Sequence, residues 1–102
     1  MFAPDLPPAD LPPPGLRTVI EMNPMYLFRW EEPQQAFVLL YPEGVVKLNG
    51  PAGAILGAVD GERSVADIAA LLSARYGDAD LSSDVLEFME TAHAQGWIRT
   101  KS

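Results

Sequence analysis

Cysteine is absent from all 102 residues, and histidine occurs once, as His93. The first absence excludes disulfides, thiolate metal ligation, protein-held iron–sulfur clusters and a cysteine nucleophile. The second excludes any metal site or catalytic system that needs two imidazoles from one chain. Basic residues are scarce too: seven Lys and Arg stand against fourteen Asp and Glu, giving a net charge of -7. Such a chain repels phosphate backbones and anionic headgroups at long range, which argues against nucleic acid and membranes as partners. No run approaches the ~18 to 20 apolar residues of a membrane span. The sequence opens on prolines rather than on a basic stretch followed by an apolar one, so a cytoplasmic location is expected.

What is present is a globular composition, 48% apolar, long enough for one domain with one modest core. At this size an enclosed active site competes with the core for the same apolar side chains, so an open surface groove is the favoured kind of site. Six of the ten prolines lie in residues 1–15. Residues 1–19 are therefore expected to form a Pro-rich flexible arm, with residues 20–102 as the folded domain.

Met25 to Trp30 and Gln35 to Tyr41 are rich in aromatic and branched side chains and flank Glu31-Glu32-Pro33, predicting two strands and a turn. Tyr41-Pro42-Glu43-Gly44 is a turn sequence, after which Val45 to Leu48 returns as a third strand at the edge of the meander. Asn49-Gly50-Pro51 predicts a capped helix ending near Asp60-Gly61. Ser64 and Asp67 have capping-box spacing before a second helix that ends at Gly77. A third helix opens at Asp80 to Ser83, has Val85, Phe88, Met89 and Ala92 on its apolar arc with Leu86 and His93 beside it, and ends at Gly96. Trp97-Ile98-Arg99 reads as a short extended tail. The fold class is α+β and winged helix-turn-helix-like, a three-stranded antiparallel meander followed by three helices.

A winged helix raises DNA binding, yet the third helix carries Asp84, Glu87 and Glu90 with no Lys or Arg to meet phosphates or base edges. Catalysis fares no better. Glu31-Glu32 and the Glu87/Glu90 pair read as solvated surface, His93 has no nucleophile or second acid placed beside it by sequence, and the Gly50, Gly53, Gly57 series lacks the Lys of a phosphate loop. The glycines read instead as a helix packing close to a neighbour. The remaining candidate is the third strand's uncovered edge, which can accept an extended peptide as a fourth strand. Lys47 guarding that edge against aggregation explains it equally well, and the residues leave both open.

Several segments in order resemble the pyrroloquinoline quinone (PQQ) biosynthesis protein D family, PqqD. They are Leu27-Phe28-Arg29-Trp30-Glu31, Phe37 to Glu43, Val45 to Asn49, Ala54-Ile55-Leu56, Val59 to Val65, Asp84 to Phe88 and Gly96-Trp97-Ile98. The resemblance spans about residues 20 to 99 and implies a non-catalytic peptide chaperone, a recognition element for ribosomally made and modified peptides, which grips a leader peptide between its third strand and third helix. It implies two partners. One is a PqqA-like precursor peptide; the other is a PqqE-like radical S-adenosylmethionine enzyme that joins a glutamate and a tyrosine of that peptide and would hold the iron–sulfur clusters. No cofactor is expected on this chain. Another modified-peptide pathway is the alternative, and a monomer or a homodimer fits. Carried over by position, the peptide-binding residues are Val45, Val46, Lys47 and Leu48 on the strand, and Leu86, Met89, Glu90 and His93 on the helix.

Overall fold

The structure, a computed structural model, describes residues 14–101. In chain order the elements are β1 (Val19–Met22), β2 (Leu27–Glu31), β3 (Ala36–Tyr41), β4 (Gly44–Lys47), α1 (Gly50–Gly57), α2 (Val65–Arg75), α3 (Ser82–Gln95) and β5 (Ile98–Lys101). The expected meander is present as the antiparallel sheet β2-β3-β4, followed by three helices. A second sheet pairs β1 with β5, and β1 was not anticipated. The extended tail is thus a strand with a partner, Met22 lying opposite Ile98 and Val19 opposite Lys101.

Segments 14 to 19, grouped with the arm on composition, are fastened to the body. The Leu16 carbonyl accepts from Ala66 N–H at 2.8 Å and the Thr18 carbonyl from Val65 N–H at 3.0 Å. Two N–H groups of the first turn of α2, which have no partner inside the helix, are satisfied this way. Residues 1–13, the remainder of the expected arm, lie outside the described residues.

Local chemistry sets the helix ends. Asn49 Oδ1 accepts from Ala52 N–H at 2.8 Å to start α1, with Pro51 in the first turn. Ser64 and Asp67 form the reciprocal capping box of α2 at 3.1 and 3.0 Å. Asp80 Oδ1 receives Ser82 N–H at 3.0 Å at the start of α3, and Gly96 closes that helix at φ +83°, a conformation few other residues accept. The Gly53 reading also holds. A Cβ there would lie 2.9 Å from the Phe37 ring, so the missing side chain is what lets α1 lie close over the sheet.

One apolar core joins the sheets to the helices. Ile20, Leu39, Leu56, Val65, Ile68, Leu72, Val85, Met89 and Ile98 are each no more than 2% exposed, and no polar or charged residue among those described is buried. Phe28 stacks on Phe37 with ring centroids 4.7 Å apart, and Trp30 meets Phe37 edge-on at 5.0 Å, extending the core to one end of the sheet. Among the described residues no helix is long and apolar enough to cross a membrane.

Candidate peptide-binding edge

The two-residue turn between Tyr41 and Gly44 fixes the β3–β4 register, with Leu40 opposite Val45, Leu39 opposite Val46 and Val38 opposite Lys47. Just past the strand, Leu48 N–H donates to the Phe37 carbonyl at 2.9 Å. Antiparallel ladders alternate, so Gly44, Val46 and Leu48 direct their backbone groups at β3, while Val45 and Lys47 direct theirs away from it. No strand among the described residues pairs with that outer edge. Two N–H and two C=O groups therefore stand in a row at strand spacing, ready for an added strand.

Side chains alternate in step with these backbone groups. Val45 and Lys47 are exposed, Val46 is half-buried against the core, and Leu48 is buried at 5%. Of the four strand residues named from sequence, Val45 and Lys47 present backbone and side chain outward. Val46 and Leu48 instead anchor the strand from beneath.

The helix half needs one correction. Met89, proposed as an adaptable contact for the peptide, is 0% exposed and sits among Val85, Ala92 and the rest of the core cluster. A side chain closed off on every side cannot line a groove. Leu86 and His93 are half-buried and Glu90 is exposed; at 100° per residue these three share one flank of α3. Leu86, like Val46, is one of the partly buried side chains packed against the core cluster. Phe88, on the other flank, packs against Trp97 at 6.4 Å.

One feature escaped the sequence reading. An open apolar depression of about 500 Å³ lies where the start of α1 meets the end of α2 and the start of α3, lined among others by Pro51, Ile55, Leu72, Tyr76 and Leu81. It begins just beyond the end of β4. Its lining comes from three separate elements, so no local sequence pattern announces it.

Three carboxyls among the described residues are shifted toward the ionised form. The Trp30 indole N–H, 2.7 Å from Glu32 Oε1, and the Gln35 amide lower the Glu32 pKa. Backbone N–H groups of Glu62 and Arg63 lower that of Asp60, and Ser82 N–H lowers that of Asp80. All three carboxyls are held ionised, the opposite of one readied to donate a proton near neutrality. Among the described residues no group of three or more His, Asp or Glu is placed to hold a metal.

Comparison with known proteins converges on one family. Residues 36–98 match the family model of "Coenzyme PQQ synthesis protein D (PqqD)". A protein of Azotobacter vinelandii named PqqA binding protein is 49% identical over 84 residues, covering 81% of this chain and 91% of the relative. One of the same name from Methylococcus capsulatus is 42% identical over 82 residues, covering 80% and 88%. The solution structure of the PqqD truncation of Methylobacterium extorquens PqqCD superposes with a TM-score of 0.67 at 26% identity, covering 79% of this chain and 88% of that one. That truncation is described as a functional, stand-alone recognition element for ribosomally synthesized and post-translationally modified peptides. The matched segment runs from the first residue of β3 to the first of β5 and so contains the free β4 edge and all three helices: the chain belongs to the PqqD family.

Proposed function

We propose that this chain is a non-catalytic peptide carrier of PQQ biosynthesis, acting in the cytoplasm, which binds a PqqA-like precursor by strand addition and presents it to a radical S-adenosylmethionine enzyme. The observation that carries the reading is the β4 edge, where Val45 and Lys47 turn unpaired backbone groups outward. The names of the relatives and the description of the solved neighbour support it. The radical enzyme comes from the family resemblance alone.

Strand pairing cannot be the whole of the affinity. Four hydrogen bonds at ~0.5 to 1.5 kcal/mol net each give about 2 to 6 kcal/mol. A micromolar complex needs about 8 kcal/mol after the peptide's ordering cost has been met. Side-chain contacts must supply the difference, and Leu86, Glu90 and His93 on α3 are the proposed wall. Glu90 gives that wall a negative charge suited to a basic residue of the peptide.

Titrating isotope-labelled protein with the precursor tests this. Amide shifts should concentrate at Val45 to Leu48 and at Leu86, Glu90 and His93. Shifts confined to β2, the opposite edge of the same sheet, would overturn the assignment. A different modified-peptide pathway remains the second reading, because the solved neighbour's description names the general class of recognition element. Tight binding of an unrelated leader peptide and none of a PqqA-like one would select it.

A further inference from the structure

Strand addition at the β4 edge leaves one surface of the sheet unused. The register sets Leu27, Leu40 and Val45 in one row across β2, β3 and β4, and Arg29, Val38 and Lys47 in the next. Both rows face away from α1, since the intervening rows carry Phe28 and Phe37, over which Gly57 and Gly53 pack. Leu27 and Val45 are 57% and 54% exposed. Val38 is fully buried yet stands apart from the main core cluster, flanked on either side by the aliphatic stems of Arg29 and Lys47. A contiguous apolar strip on an otherwise polar surface marks a place for another protein.

Charge narrows the choice of partner. In a chain of net charge -7 this face carries Arg29 and Lys47 with one carboxylate, Glu31, at the end of β2. Arg29 lies 3.3 Å from Glu31, and Lys47 has no ion pair among the described residues. A second copy docked face to face would offer each unpaired Lys47 only a Glu31 that Arg29 already holds. An apolar patch edged with Asp and Glu would satisfy both rows at once.

We propose that this outer face is the docking surface for the modifying enzyme, which meets it through an apolar patch rimmed by carboxylates. The proposal rests on the strand-addition reading and gives it a means of presentation. A peptide strand on β4 sends every second side chain to this same face, beside Val45 and Lys47. An enzyme seated there meets carrier and peptide as one continuous surface.

The test uses two substitutions on β2, away from the peptide edge: Leu27→Thr with Arg29→Glu, and Leu27→Thr alone should the double variant fail to fold. Affinity for the precursor is measured by calorimetry, and affinity for the purified modifying enzyme by sedimentation, each with the full chain. Precursor binding should stay within about twofold of wild type, while enzyme binding weakens about tenfold or more, the loss typical of central interface residues. Unchanged enzyme affinity in a folded variant overturns the proposal. So does a wild-type chain that self-associates through this face, shown by a dimer that the substitutions dissolve. Failure of the wild type to bind precursor would instead refute the β4 reading, and the enzyme measurement would still decide the outer face.

Discussion

Replacing Lys47 by proline isolates a single hydrogen-bond donor at the proposed site. Lys47 lies opposite Val38 in a pair whose backbone groups point away from one another, so its N–H faces the open edge. Proline is tolerated on edge strands where the N–H points outward, and the extended Val46 before it suits the restriction proline imposes. The β3–β4 ladder should therefore survive. Lys47→Ala is the control, since it removes the side chain and charge while keeping the donor. A made hydrogen bond contributes ~0.5 to 1.5 kcal/mol, and stranding the peptide's carbonyl adds to the loss, up to ~3 kcal/mol if dry. Water reaches this edge, so about 1 to 2 kcal/mol is expected, or roughly 5- to 30-fold weaker binding of Lys47→Pro than of Lys47→Ala. Val46→Pro should behave differently, because its N–H faces Leu39 in β3; there the loss appears as a lower melting temperature. Calorimetry on proteins shown folded by thermal denaturation reads both effects. Equal affinity of folded Lys47→Pro and Lys47→Ala would refute a peptide hydrogen bond to this donor, and with it strand addition in that register.

Two further outcomes are expected. Met89→Ala should cost about 2 to 5 kcal/mol in urea unfolding, as for other fully buried long side chains, while leaving precursor affinity unchanged where the protein is folded; Glu90→Ala should do the reverse, and equal binding losses for both would return Met89 to the groove. For Asp60, hydrogen bonds from Glu62 and Arg63 N–H depress the folded-state pKa below the ordinary 3.8. A depressed carboxyl contributes stability above its unfolded value and loses it as pH falls through the folded one. Asp60→Asn keeps an acceptor but cannot titrate, so its urea midpoint should fall less than that of wild type between pH 6 and pH 3; parallel declines would show that Asp60 plays no part.

The elements read correctly were those whose signals are local. Ser64 and Asp67 mark α2 by spacing alone, Asn49-Gly50-Pro51 marks α1, and Gly96 marks the end of α3. β1 was missed because four residues beside a proline-rich stretch carry little pattern, and its partner β5 lies at the far end of the chain. Tertiary pairing, not propensity, makes it a strand. Met89 was misplaced for a related reason. On a helical wheel it lies only ~40° from His93, and whether that angle is core or rim depends on where the neighbouring elements sit. The outward direction of Val45 and Lys47 could have been read in advance, because a two-residue turn at Pro42-Glu43 makes Tyr41 and Gly44 a bonded pair and alternation follows from there.

The pairing of Val19 with Lys101 has a mechanical side. The two strands that close the domain enter and leave at the same end of their small sheet. Tension applied across those positions loads one hydrogen bond after another, as a zipper opens, and needs little force. A peptide lying along β4 and drawn lengthwise loads its bonds together and resists by shear. A carrier so arranged would hold its cargo by shear, while its β1–β5 pairing opens by peeling.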